Sequence, residues 1–436
     1  MTRQRWVIAL VSAAVVLAVA AIAGGWWYQE QSTAKEVRGS STVEFVPREK
    51  PQAKPRPRKV VDEVPWPTFG YDNQRTHLSP FNHRPPYRQL WLLRARWLVE
   101  FPPVVGYGKV FVSQLRGIFF AVDAKTGEWR WRRKFDYCSA SSPALARGLV
   151  IATFIPQPCT KGPRGVPGLV IAMRQSDGRT VWKARIPSET SPLVVDGRVY
   201  VGSWDRRIYA LGLGTGKVLW SVLLDEEVNA SGAYADGTVY FGDNSGTVTA
   251  LDARTGAIRW KARSFSRLRS GREYFYATPT VAYGRVYASN TDGTVYAFGA
   301  SSGNLLWASP VGTYVYTAPA VWERKVYVGT YDGKFLALDA ATGETLWSRE
   351  MPASVHGAPT VMAGLVYLST CKYCGQKGSR YAKSGPNGTY ALDARTGKLV
   401  WSFPEGQYSP IVADRERVYL TGAARVFALE ERRPSP

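Results

Sequence analysis

The sequence predicts an all-β, eight-bladed β-propeller of four-stranded antiparallel blades, preceded by one transmembrane helix and a disordered linker. Three observations carry the prediction. Seven times a glycine is followed four residues later by a tryptophan, and the seven tryptophans are spaced 38 to 54 residues apart, the period of a radial array. Between these marks lie short runs of β-branched and aromatic residues separated by Asp-Gly, Tyr-Gly and Thr-Gly pairs, which read as strands and tight turns. The composition agrees: 436 residues with 41 Gly, 28 Pro, 45% hydrophobic and 13% aromatic residues suit many short strands.

The elements follow in chain order. Residues 1–5 form a short tail containing Arg3 and Arg5. Residues 6–28 (WVIALVSAAVVLAVAAIAGGWWY) carry no charge and are long enough to span a bilayer, for which about 20 apolar residues suffice. The preceding arginines place the N-terminus in the cytoplasm and the rest of the chain outside it. Trp26, Trp27 and Tyr28 suit a membrane interface. The rival reading is a signal peptide cleaved after Ala21-Ile22-Ala23; its apolar core is ordinarily about 7–15 residues, shorter than this run. No cysteine follows to take a lipid. Residues 29–64 are polar and rich in proline and charge (PREKPQAKPRPRK), and so read as a disordered tether that can lean on anionic headgroups or wall polymers.

The propeller is expected over 65–430, leaving 431–436 as a tail. The segments AVDAKTGEWRW, AMRQSDGRTVW, ALGLGTGKVLW, ALDARTGAIRW, AFGASSGNLLW, ALDAATGETLW and ALDARTGKLVW define a repeat A-x-D-x-x-T-G-x-x-x-W. Trp131, Trp182, Trp220, Trp260, Trp307, Trp347 and Trp401 are expected to plug the seams between sheets, with the aspartate capping the Thr-Gly turn. The last repeat, Ser409 to Glu430, has three strands and no such tryptophan. Residues near 87–97 are expected to supply its outer strand, with Trp91 standing in for the repeat tryptophan. This closure by the two ends makes the eighth blade.

Chemistry on such a disc belongs to the loops that enter each blade near the axis. Glu189, Glu227, Asn229, Arg269, Arg272, Tyr274, Tyr276, Tyr316 and His356 are the candidates for a polar funnel. Oxygens of Glu189, Glu227 and Asn229 suit a cation, and Arg269 or Arg272 a carboxylate; the bland alternative is a solvated loop surface. The three histidines are too scattered for a zinc motif, so no metal site is expected. No hydrolase or phosphate-binding motif is present, and no catalytic residue is assigned. Cys138 falls in the loop entering blade 2 and Cys159 in that blade's enlarged second-to-third-strand loop; both loops emerge on the same face, and the two are expected to form a disulfide. Cys371 and Cys374 (CKYC) are expected to form a second, since the compartment is oxidising. Lys+Arg total 56 against 34 Asp+Glu, a net charge of +22, which attracts polyanions. Nucleic acid is not the expected one outside the cytoplasm; anionic envelope polymer or an envelope protein is.

The repeat resembles the tryptophan-docking motif of pyrroloquinoline-quinone (PQQ) dehydrogenases and their non-enzymatic, BamB-like relatives over nearly all of 66–430. Trp66-Pro67-Thr68-Phe69-Gly70-Tyr71-Asp72 looks like the lead-in that precedes the first blade in many of them. The resemblance implies the propeller fold. Its enzymatic branch implies PQQ and calcium over the axis and a disulfide of adjacent cysteines, and no adjacent Cys-Cys pair occurs here. The expectation is therefore a membrane-anchored, extracytoplasmic scaffold that binds envelope protein or polymer and carries no cofactor. The alternatives are a PQQ- and calcium-dependent dehydrogenase and a small-molecule sensor with its site in the funnel.

Overall fold

The structure, a computed structural model, describes residues 13–26, 36–47, 63–157, 159, 168–264, 274–372 and 382–432. Its core is a ring of eight antiparallel sheets. Blades 1 to 6 span residues 104–134, 144–184, 193–223, 233–263, 280–310 and 320–350, and blade 7 spans 354–403. Blade 7 gains a fifth strand, Ser354–Val355, paired with Thr370 and Cys371. Blade 8 joins three strands from the C-terminal end to Tyr87–Arg94, which pairs with Arg425–Glu431. The first and last strands of the propeller thus pair and lock the ring.

The repeat explains itself in three dimensions. Each tryptophan belongs to one blade and docks on the next. Trp91 Nε1 donates to the Ala124 carbonyl at 3.1 Å, Trp182 to Leu213 at 2.8 Å and Trp307 to Ala340 at 3.1 Å; Trp131, Trp220, Trp260 and Trp347 repeat the pattern at 2.9 to 3.3 Å. The motif glycine of the receiving blade lies under the indole. At Gly343, φ is +76° and a Cβ would approach Trp307 to 2.7 Å, so both backbone and space require glycine. Trp401 differs: the next blade offers no such turn, and its ring packs edge-on against Tyr87 at 5.2 Å. The motif aspartate caps its own turn. Asp252 Oδ1 accepts from the Arg254 and Thr255 amides at 3.0 and 2.9 Å, and the Arg259 guanidinium helps hold its carboxyl well below the usual range.

The axis is filled by the chain's own lead-in. Residues 66–83 circle it and hydrogen-bond every blade. Trp66 pairs with Val105 of blade 1, and Pro67 accepts from Leu145 of blade 2. Asn73, Gln74, Thr76 and His77 accept from Tyr234, Val281, Val321 and Val361 of blades 4 to 7. His83 meets the Asp414 carbonyl of blade 8 at 2.7 Å. Arg75, fully buried, secures blade 3: its guanidinium donates to the Pro192 and Gly232 carbonyls at 3.2 and 2.9 Å, and to Thr68 Oγ1 and the Phe69 carbonyl. Burial lowers its pKa to about 10.

Two expectations for the N-terminal region are revised. The helix described is 13–26, inside the expected span 6–28, whose remaining residues lie outside the described ones. Among the described residues no helix is long and apolar enough to cross a membrane. The second revision concerns the linker, which is not disordered throughout: residues 36–46 form a strap across the rim of blades 5 and 6. Val37 bridges Ala308 on the outer strand of blade 5, and Gly39 donates to Thr342 at 3.0 Å. The anchor is Arg285, fully buried, which donates to the carbonyls of Ser40, Val43, Glu44, Ala340 and Ala341. Phe45 lies under that guanidinium at 5.0 Å. A polar composition did not prevent docking, because backbone carbonyls rather than apolar side chains satisfy the arginine.

Candidate functional site

The two faces of the disc are built differently. Turns within blades occupy one face; blade-entering loops and second-to-third-strand loops occupy the other. On this loop face one position recurs, four residues before the innermost strand. From blade 1 to blade 8 it holds Glu100, Ala140, Glu189, Asn229, Tyr276, Tyr316, His356 and Gln407. Equivalent backbone positions around an axis bring these side chains toward one another.

Several join into one network. Tyr276 donates to Glu189 Oε1 at 2.7 Å and is also within hydrogen-bonding reach of Tyr316 and Asn229. The rings of Tyr276 and Tyr316 stack at 4.8 Å, and those of Tyr316 and His356 at 4.8 Å. His356 Nε2 meets Glu100 Oε1 at 3.1 Å, and its Nδ1 meets the Tyr331 hydroxyl at 2.7 Å. Tyr408 closes edge-on against His356 at 5.6 Å. Burial holds Tyr276, Tyr316 and Tyr331 well above the ordinary tyrosine pKa, so all three remain neutral phenols. The floor beneath is the lead-in: Phe69 packs with Ala318 and Ala358, two residues beyond Tyr316 and His356. A cavity of about 10 Å³, lined in part by Trp66, Phe69, His77 and Ile411, has room for about one water.

The sequence candidates separate accordingly. Glu189, Tyr276, Tyr316 and His356 come together, with Asn229 beside them. Glu227 Oε2 and Asn229 Oδ1 share the Asn244 amide at 3.4 and 3.5 Å, on the blade 4 side. Tyr274 donates its backbone N–H to Thr291 Oγ1 at 2.9 Å. Arg269 and Arg272 lie outside the described residues. Among the described residues no group of three or more His, Cys, Asp or Glu is arranged to hold a metal ion. Glu100 and Tyr331 were not anticipated. The recurrence four residues before each inner strand would have found Glu100. Tyr331 stands two residues after the second strand of blade 6, a place held by Trp204, Asn244 and Thr291 in blades 3 to 5, so only its position and not its residue type recurs.

A disulfide joins Cys138 to Cys159 across this face, with Cα atoms 5.3 Å apart. It ties the loop entering blade 2 to that blade's enlarged loop. Cys371 is disulfide-bonded; Cys374, its expected partner, lies outside the described residues.

Comparison with known proteins places the whole propeller. Residues 82–154, 164–318 and 291–433 match the family described as outer membrane protein assembly factor BamB. BamB of Yersinia pestis is 29% identical over 136 residues, covering 27% of this chain and 32% of that protein. BamB of Xanthomonas campestris is 30% identical over 97 residues, 20% of this chain and 21% of its own. The matched segments thus span about a third or less of those relatives. In fold, the crystal structure of BamB from Moraxella catarrhalis aligns with a TM-score of 0.62 at 18% identity, covering 79% of this chain and 100% of the other. A quinohemoprotein alcohol dehydrogenase from Pseudomonas putida aligns at 0.67 with 12% identity, covering 87% and 82%. Both likenesses are of fold.

Proposed function

The chain belongs to the family described as outer membrane protein assembly factor BamB, and from that premise we propose that it is a non-catalytic scaffold of the cell envelope, which engages protein partners through its loop face. One observation carries the reading: the loop ring over the axis is occupied by its own side chains. Tyr276, Tyr316 and His356 stack ring on ring at 4.8 Å, above a lead-in that bonds all eight blades. Planar contact distances of this kind leave no gap for a quinone between these rings. The carboxylates Glu189 and Glu100 are taken up by Tyr276 and His356. Aromatic and acidic groups in a loop ring on a rigid scaffold suit recognition of a protein surface; a net charge of +22 suits an acidic partner or an anionic envelope polymer.

Tethering completes the proposal. The apolar, uncharged run 6–28, helical over 13–26, supports a membrane anchor with the propeller outside the cytoplasm. Fractionation of cells expressing the full chain tests it: recovery with membranes after alkaline carbonate is expected, and release into the soluble fraction would contradict it.

The enzymatic alternative is tested by titrating the full chain with PQQ and calcium while following quinone absorbance. No saturable binding at high micromolar quinone is expected. Stoichiometric binding, followed by reduction of a dye acceptor when an alcohol or sugar is added, would overturn the scaffold reading. Binding without dye reduction would replace it with a sensor.

A further inference from the structure

The strap on blades 5 and 6 shows what the rim of this disc can hold. Arg285 lies opposite Gly299 across the second and third strands of blade 5. Gly299 stands where the repeat calls for aspartate, and the missing carboxylate is supplied from the strap: both carboxylate oxygens of Glu44 accept from Ser302 Oγ at 2.9 and 2.8 Å, and one from Asn304 Nδ2 at 3.4 Å. A Cβ at residue 299 would overlap the Glu44 carboxylate. In blade 5, therefore, arginine opposite glycine marks a rim that receives a carboxylate from another segment.

Among the seven motif-bearing blades one other has it. Arg198 lies opposite Gly212 in blade 3. The corresponding pairs elsewhere are Lys109 with Asp123, Leu149 with Arg174, Thr238 with Asp252, Lys325 with Asp339 and Leu365 with Asp393. Among the described residues nothing covers the blade 3 rim, and Arg198 Nε is buried without a hydrogen-bond partner. Val218 and Leu219, aligned with Leu305 and Leu306 beside the strap, are 53% and 52% exposed. Trp307 under the strap is fully buried; Trp220, its counterpart, is only half-buried.

We propose that the rim of blades 3 and 4 is a docking site for an extended segment of a partner protein with a glutamate followed by an aromatic residue. Arg198 would receive its backbone carbonyls, the space at Gly212 its carboxylate, and the open edge of the outer strand Val218–Leu223 its backbone. The chain's own glutamate–phenylalanine segment, 36–46, is already seated on blades 5 and 6, and residues 27–35 and 48–62 contain no glutamate followed by an aromatic residue, so the occupant is assigned to another protein. The site is on the rim, apart from the loop ring, and does not depend on the loop-face reading.

The test titrates a labelled peptide, EVRGSSTVEFV, into the full chain and maps hydrogen exchange. Saturable binding is expected, with slowed exchange in 218–223 and unchanged exchange in 305–310. Gly212→Asp, which restores a carboxylate in cis, and Arg198→Ala should each weaken binding about tenfold or more, as should replacement by alanine of the peptide's second glutamate, the one before phenylalanine. The peptide variant needs no change in the protein, and melting temperatures confirm that the protein variants fold. No saturable binding, affinity unchanged by all three substitutions, or protection confined to 305–310 would overturn the proposal. Concentration-dependent dimers that protect 218–223 without peptide would replace the partner segment with a second copy of the chain.

Discussion

The turn face and the loop face of this propeller are made from the same eight blades, yet they are organised by different rules. On the turn face one repeat dominates: a tryptophan from one blade docks on a left-handed glycine of the next, and in blades 1, 4, 6 and 7 an aspartate caps the turn. Each interaction is local to a seam and is copied around most of the ring. On the loop face the backbone position is copied but the residue is not; glutamate, asparagine, tyrosine and histidine occupy equivalent places and bond one another across blades. Repetition builds the disc. Departure from repetition builds the surface that distinguishes it.

The largest effect should come from neither face but from the lead-in between them. Arg75→Ala leaves the Pro192, Gly232 and Phe69 carbonyls without their buried donor and should cost roughly 3–5 kcal/mol, since such a loss strands polar groups in the interior. Denaturant unfolding would measure it, and a loss under about 1 kcal/mol would show that the lead-in does not bind the blades together.

Next, the turn face should be costly to disturb. Trp307→Ala removes a fully buried indole and its hydrogen bond, and should cost about 3–5 kcal/mol. Trp401→Ala, half-buried and without a docking turn, should cost clearly less. Equal losses in thermal or denaturant unfolding would break the argument that glycine and carbonyl together make the seam.

A third expectation concerns pH. Burial, with the nearby Arg75 charge, lowers the His77 pKa from its ordinary 6.5 to about 3. The unfolded chain therefore binds a proton between these values that the folded chain does not, and stability falls as pH drops through that window. Asp72, whose carboxyl is raised by burial, acts in the opposite direction. His77 has φ of +57°, which asparagine tolerates, so His77→Asn should narrow the difference in unfolding free energy between pH 7 and pH 4.5. An unchanged difference would remove His77 from the acid response.

The smallest stability effect is expected on the loop face. Tyr276→Phe removes one hydroxyl from a half-buried network and should cost about 1 kcal/mol, while altering partner capture. A loss as large as that of Trp307→Ala would make the stack a structural core rather than a surface.

What was legible in the sequence follows the same division. The blades were readable because Gly127/Trp131 and its six copies impose a period, and the closing strand was readable because Trp91 restores a missing member of the set. The lead-in was visible as a motif but not as the filling of the axis: Asn73, Gln74 and Thr76 bond the blades through backbone carbonyls, which leave no pattern in side chains. The strap was hidden for the same reason, since it meets Arg285 through the carbonyls of Ser40, Val43 and Glu44, residues that carry no motif. On the loop face, Glu189, Tyr276, Tyr316 and His356 were recognisable by position, whereas their bonding order depends on how far each side chain reaches across the axis, which no single loop encodes.

The most direct test of the scaffold reading compares the faces in cells. A photocrosslinking residue placed at Glu226, exposed beside the loop ring, and another at Lys398, exposed on a turn of blade 7, would be irradiated in the full chain, and adducts identified by mass. Discrete adducts with envelope proteins from position 226 and none from position 398 are predicted. Adducts only from position 398, or none from position 226 at native expression, would contradict the assignment of the loop face as the partner-binding surface.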